Sequence, residues 1–281
     1  MFPESFRLWA DGLDHPEGVA AGPDGRAYAG GEAGQVYAIA DDGTATVVAE
    51  TGGFALGLAL DALSLIYLCD LGRKAVIRID PASGVHDVYS NGSADTPMRT
   101  PNYPAFDAAG NLYVTDSGDW QAANGLIYRI APGGNTEVWS RDATEFPNGC
   151  CMSSDGKALY VVESNRPGVT RIAIQADGSA GVADVILSLP PTDVPDGIAV
   201  AADGSLIIAC YRPDRLYRFT SDAHLEILGD DQFGVMLSAP TNIAFVGPER
   251  DKLAVSSLGR YHLLLGDVGV AGLPLHYPNL P

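Results

Sequence analysis

Three short turns carry residue types that could do chemistry: Pro16-Glu17-Gly18, Pro147-Asn148-Gly149 and Pro195-Asp196-Gly197. In each, an oxygen-bearing side chain sits between a proline and a glycine, just ahead of an apolar strand-like run. Asn-Gly and Asp-Gly are also favoured turn dipeptides, whose side chains often bond only their own backbone. One such turn would be read as structural. Three at equivalent points of a repeat point to a shared site. Two carboxylates and one amide oxygen form a hard, all-oxygen set that suits Ca²⁺, Mg²⁺ or Mn²⁺, with Zn²⁺ as an alternative. Three side-chain ligands leave positions open, and an ion so held polarises a carbonyl and acidifies a water for hydrolysis. Glu17, Asn148 and Asp196 are therefore the candidate metal ligands. Asp196 doubles as candidate general base, since a carboxylate beside an ion still accepts a proton. The glycine after each ligand is expected to let the backbone approach the ion.

Residues so far apart in sequence can meet only if the chain closes on itself, and its repeats supply the means. Second-strand and third-strand patterns recur six times, from RAYAGGE/GQVYAI at 26–39 to KLAVSSL/RYHLLL at 252–265. Entry turns fall at Glu17, Gly57, Asn102, Asn148, Asp196 and Asn242, one every 40 to 48 residues. Each unit holds four short β-branched or aromatic runs separated by Asp-Gly, Gly-Asn or Pro-Ser-Gly-like turns. Four strands per repeat, six times over, predicts an all-β six-bladed propeller with four antiparallel strands per blade. A β-sandwich would not repeat at this period. The whole chain, 1–281, is thus expected to form one domain. SFRLWADG should supply a strand to the last blade and close the ring, with LPLHYP beside it. Two longer connections, Asn91–Thr100 and Ser117–Asn124, make blade three the expected lid over the channel mouth.

Composition narrows the function classes. Net charge is −18, which disfavours binding to phosphate backbones or anionic lipid surfaces, so neither nucleic acid nor membrane is expected as a partner. No apolar run is long enough to span a bilayer, and MFPESFRLWADGL lacks the basic and apolar regions of a secretion signal, so a cytoplasmic protein is expected. Cys69, Cys150, Cys151 and Cys210 show no CxxC spacing and read as buried free thiols. There is no GxSxG elbow, and the five histidines form no metal-binding spacing. His15 reads as a capping or surface residue. Asp70, Asp116 and Glu163 end second strands, where acids usually bond loop amides; Asp116 alone is kept as a candidate because the lid loop follows it.

The motifs resemble those of the senescence marker protein (regucalcin)/gluconolactonase family. They are PEG before a Gly-rich hairpin, Pro101-Asn102 before blade three, PNG before CCMSSDGKALYVVES, and PDGIAVAADGSLIIA. The resemblance runs essentially the whole chain. It implies one divalent metal in the channel, Ca²⁺ foremost, held by Glu17, Asn148 and Asp196. It also implies hydrolysis of a small-molecule lactone, often a sugar lactone, and contact of Asn102 with substrate or with a water beside the metal. Sugar-lactone hydrolases of the family usually read Asn-Asp-Gly here, with an Arg two residues earlier. This chain has Asn102-Tyr103-Pro104, with Arg99 three residues earlier. An aromatic ring thus replaces an acid suited to sugar hydroxyls, and Trp120 lies in the neighbouring loop. Asn102, Tyr103, Asp116 and Trp120 are the expected substrate contacts, and the lactone is expected to be less polar than a sugar's. Asn102 would position the water or the ring oxygen, and Arg99 would stabilise the developing oxyanion. A monomer or small homo-oligomer is expected. Two rival readings use the same fold: non-hydrolytic chemistry, as in the strictosidine synthase-like branch, and a non-catalytic binding propeller working through its rims. The intact Glu/Asn/Asp set argues for the metal.

Overall fold

The computed structural model describes residues 5–280, so Met1–Glu4 and Pro281 lie outside the description. The described residues form six four-stranded antiparallel sheets and one two-stranded ribbon, with no helix. The sheets are the six blades. Their innermost strands are Val19–Ala21, Ala55–Leu60, Pro101–Phe106, Pro147–Met152, Val194–Val200 and Pro240–Val246. Blades one to five are simple meanders, each followed outward in chain order.

Local chemistry fixes the inner hairpins. The Asp24, Asp61, Asp107 and Asp203 carboxylates each accept main-chain N–H bonds within their own turns, which makes these aspartates the repeat's punctuation. Packing then assembles the ring. Six apolar clusters fill the molecule, and each lies between two successive blades, including one joining blade six to blade one through Ala244, Val246, Val19 and Ala29. A blade cannot bury its faces alone, so the ring must close. The closing strand is Arg7–Asp11, which pairs with His262–Gly266 as the outermost strand of blade six.

The C-terminal segment departs from expectation. LPLHYP does not lie beside the N-terminal strand. Its prolines lack the N–H needed to extend a sheet, and it crosses the far end of the channel instead. Leu273 N–H donates to Val200 O, Tyr277 Oη–H to Ala21 O, and Ala62 N–H to Pro278 O. Blades five, one and two are thereby bridged. Between this floor and the opposite mouth lies an apolar channel with a cavity of about 100 Å³, lined at one level by Ala20, Ala59, Ala105, Cys151, Ala199 and Ala244.

At the other end, the pairing of innermost and second strands slips in blades two to six. The slips enclose Leu56-Gly57, Asn102, Asn148-Gly149, Asp196-Gly197 and Thr241-Asn242. These β-bulges re-aim the side chains they carry. They also correct the repeat alignment by one residue in two blades. Leu56, not Gly57, matches Asn148, and Asn242 takes the place of Gly149.

Blade three carries the two long connections. The first holds a short ribbon, Gly92–Ser93 with Thr96–Pro97, rather than an open loop. The two are tied together by Ser117 N–H to Thr100 O (2.9 Å) and Thr100 Oγ1 to Gly118 O (2.8 Å).

Candidate functional site

The bulges bring one oxygen-bearing residue to the site from each of blades three to six, and blade one adds Glu17. Glu17, Asn102, Asn148, Asp196 and Asn242 are all buried. Glycine explains how their strands come so close. A Cβ on Gly149 would stand 2.6 Å from the Asp196 carbonyl oxygen, and one on Gly197 would stand 2.5 Å from that of Thr241. The glycine after each of these two candidate ligands therefore admits the next blade's backbone.

A relay of serines orients the amides. Asn102 Nδ2 donates to Ser117 Oγ (3.1 Å), and Ser117 donates on to the Pro147 carbonyl (2.7 Å), one residue before Asn148. Asn148 Nδ2 donates to Ser164 Oγ (3.3 Å), and Ser164 donates to the Pro195 carbonyl (2.7 Å), one residue before Asp196. Thr115 Oγ1 adds a bond to the Asn148 carbonyl (2.7 Å). Each serine thus locks its own blade's amide and pins the next blade's turn. With the nitrogens committed, the amide oxygens must face away from these bonds.

Those oxygens have no partner. Asn102 Oδ1, Asn148 Oδ1, Asp196 Oδ1 and Asn242 Oδ1 are buried without a hydrogen bond. An orphaned buried acceptor costs about 1–3 kcal/mol, so four at one end of one ring need an explanation. A donor or a cation between them provides it. Glu17 and Asp196 sharpen the point. Burial, and then the Asp196 charge, push the Glu17 carboxyl well above its ordinary range. Burial raises Asp196 to about 7. Burial and like charge both favour the protonated forms of these two carboxyls, and a positive charge nearby would reverse that preference. The donor set is hard oxygen throughout and fits a divalent cation.

Other predicted residues fall elsewhere. The Tyr103 ring packs over Gly57 and borders the apolar channel below the oxygens. The Arg99 guanidinium is largely exposed and bonds Asp119 Oδ2 at 3.1 Å, so it is not brought to the oxygen set. The Asp116 carboxylate is taken up by the main-chain N–H groups of Arg99 (2.7 Å), Thr100 (3.0 Å) and Gly118 (3.0 Å). It anchors the loop that carries Asn102, as Asp70 and Glu163 anchor theirs. Arg99 and Asp116 border a separate cavity of about 510 Å³ on blade three. Trp120 is half-exposed and packs edge-on against Phe146, with centroids 4.8 Å apart. His15 Nδ1 lies 3.2 Å from both Asp14 and Glu32, on the surface of blade one.

Sequence reasoning missed the relay serines and the unpaired Asn242 oxygen. The relay had a signal: Asp116-Ser117 and Glu163-Ser164 repeat the same pair at the end of the second strand.

Residues 27–259 match the SMP-30/Gluconolactonase/LRE-like region. The chain belongs to this family. A gluconolactonase of Zymomonas mobilis is 24% identical over 183 residues, 58% of this chain and 50% of its own. A lactonase drp35 of Staphylococcus saprophyticus is 28% identical over 161 residues, 54% of this chain and 48% of its own. The matched part of the chain thus spans about half the length of these curated relatives. Solved structures share the fold across nearly the whole chain. A gluconolactonase from Xanthomonas campestris superposes with a TM-score of 0.79 at 24% identity, covering 93% of this chain and 89% of that one. A calcium-binding regucalcin from Agrobacterium tumefaciens gives a TM-score of 0.78 at 20% identity, covering 100% and 98%.

Proposed function

We propose that this protein is a divalent-metal-dependent hydrolase that opens a lactone ring at the channel mouth. The observation that carries the proposal is the set of buried, unpaired oxygens on Asn102, Asn148, Asp196 and Asn242, beside a Glu17–Asp196 pair short of positive charge. Family membership and the lactonase names among the relatives supply the reaction class.

Glu17, Asn148 and Asp196 would hold the ion, which supplies Lewis-acid polarisation of the lactone carbonyl and a lowered water pKa. Ca²⁺ is the first candidate, given the oxygen-only donors and the calcium-binding regucalcin relative. Zn²⁺, Mg²⁺ and Mn²⁺ follow. Asp196 accepts the proton of the attacking water, whose oxygen bonds to the acyl carbon. The acyl carbon–ring oxygen bond then breaks, and the proton passes from Asp196 to the departing alkoxide, leaving a hydroxy acid. Asn102, locked by Ser117, aims its Oδ1 at the water or at a substrate hydroxyl.

The substrate is a lactone with an apolar portion. Tyr103 stands where an acid could have bonded sugar hydroxyls, and the Trp120–Phe146 pair offers an aromatic surface between blades three and four. Arg99, paired with Asp119 at the surface, is given no role in the chemical step. Four free thiols, three of them fully buried, fit a reducing compartment, the cytoplasm.

The test is proton release from sugar, alkyl and aromatic lactones, before and after chelation and re-addition of single metals. Activity lost on chelation and restored by one ion supports the proposal, and aromatic or alkyl lactones should rank above aldonolactones. Absence of hydrolysis with every ion would shift the reading to non-hydrolytic or binding functions of the same channel.

A further inference from the structure

Glu17 differs from the other candidate ligands in what holds it. Asn102 and Asn148 are each fixed by a serine of their own blade, one residue past the end of the second strand. In blade one that position is Gly31, in the run AYAGG, and no hydroxyl is available. Among the described residues, the hydrogen bond shown for the Glu17 carboxylate comes from the preceding blade: Asn242 Nδ2 donates to Glu17 Oε2 at 3.3 Å.

We infer that Asn242 is a positioning residue of the metal centre, fixing the Glu17 carboxylate across the blade six–blade one seam. This rests on reading the oxygen set as a cation site. Three observations support it. Asn242 is buried, at 1% exposure, so its bond to Glu17 does not compete with water. Blade six grips the Glu17 main chain as well, since Thr241 Oγ1 and Ser256 Oγ lie 2.7 and 2.6 Å from the Glu17 carbonyl. Side chain and backbone of Glu17 are therefore set by one neighbour.

The third observation concerns the other end of the amide. With its N–H₂ turned to Glu17, Asn242 Oδ1 is left unpaired, 2.9 Å from where a Cβ on Gly197 would sit. The amide thus stands between Glu17 and the Asp196-Gly197 turn. Beside an ionised Glu17, as a cation would leave it, a reversed amide would set oxygen against carboxylate. Asn242 occupies a bulge position where blades four and five carry glycine, and Gly197 supplies the room. An aspartate would repel Glu17, and a leucine would leave it without a donor. An outer-shell bond of this kind usually contributes tenfold to a hundredfold in metal affinity.

The experiment is calorimetric titration of the full-length, metal-stripped protein with Ca²⁺ alone, together with the metal-free Tm. Asn242→Leu and the smaller Asn242→Ser are compared with wild type, Asp196→Ala and Ser153→Ala. Ser153 lies in the blade-four hairpin, where its hydroxyl serves the Lys157 and Ala158 amides. It reports loss of stability away from the site. Both Asn242 variants should bind Ca²⁺ tenfold to a hundredfold more weakly at unchanged stoichiometry, while Ser153→Ala loses Tm and keeps its affinity. A folded Asn242→Leu or Asn242→Ser that binds within threefold of wild type would overturn the inference. If Asp196→Ala alone abolishes binding, only the role of Asn242 falls. If wild type itself binds no Ca²⁺, the cation-site reading falls with it.

Discussion

Replacing Asp196 with asparagine should stabilise the metal-free protein while destroying its metal response. Burial raises the Asp196 carboxyl to about 7 in the fold, against about 3.9 for an unfolded aspartate. The folded state therefore holds its proton more tightly than the unfolded state does. Its contribution to stability is fully present below pH 4 and is lost as pH rises through 7. By pH 8 the loss is about three units of differential affinity, or at most about 4 kcal/mol. Glu17, raised for the same reason and by Asp196 itself, pulls in the same direction. An amide has nearly the same shape and never ionises, so Asp196→Asn escapes the cost. In a chain of this size, 1 kcal/mol moves Tm by about 2–4 °C, so a gain of several degrees is expected at pH 8. The assay is thermal and urea denaturation of both proteins in chelator from pH 4.5 to 8.5. The curves should converge at the acid end and diverge toward pH 8. A divalent ion should then raise wild-type Tm and leave the variant unmoved. A variant no more stable than wild type at pH 8, or a gap independent of pH, would refute the argument that Asp196 is a buried carboxylate awaiting a cation.

Four further predictions bear on other parts of the site. Asp116→Ala strands three main-chain N–H groups and should cost about 2–4 kcal/mol, read by denaturation, with a fall in kcat as Asn102 loses its support. Arg99→Ala breaks only an exposed ion pair and should change stability by less than about 1 kcal/mol, with kcat within a few-fold of wild type. Trp120→Ala should raise KM for aromatic lactones several-fold and spare small aliphatic ones, with Tm nearly constant because the ring is half-exposed. Gly149→Ala places a methyl 2.6 Å from the Asp196 carbonyl oxygen. It should destabilise by about 1–3 kcal/mol and weaken Ca²⁺ binding by forcing two ligand turns apart, both measurable by calorimetry.

The propeller could be read because its determinants are local and repeated six times. Turn aspartates, alternating strands and small innermost residues each announce themselves within a few residues. The candidate ligand turns are legible for the same reason, since proline before and glycine after mark Asn148 and Asp196 in any register. The limits arose where the determinant lies in a different blade. Gly197 makes room beside the Thr241-Asn242 bulge, and Ser164 serves the carbonyl before Asp196; neither partnership leaves a trace in local spacing. The one-residue slip of Asn242 has the same origin. A β-bulge changes which of two neighbours faces the channel without changing the composition around it. Asp116 was the harder case, because an acid at a strand end serves a loop or a ligand with equal chemical ease. Only the three amides converging on it decide the matter.

The contrast between Asp116 and Asp196 shows what separates scaffold from site in this ring. Both are buried carboxylates placed by innermost or second strands near one mouth of the channel. The fold gives Asp116 three main-chain donors, so it holds a loop without any ligand. It gives Asp196 none for Oδ1 and sets Glu17 beside it. A fold shaped by stability alone would have supplied a donor or an apolar side chain there, since either is cheaper than two opposed buried acids. Asn242 relieves one of the two, at Glu17 Oε2, and in doing so leaves another oxygen unpaired. The deficit is therefore moved around the ring and never cancelled by protein groups. On the proposed reading, positive charge from outside the chain would cancel it, and an ion that binds only the folded state would add stability by mass action.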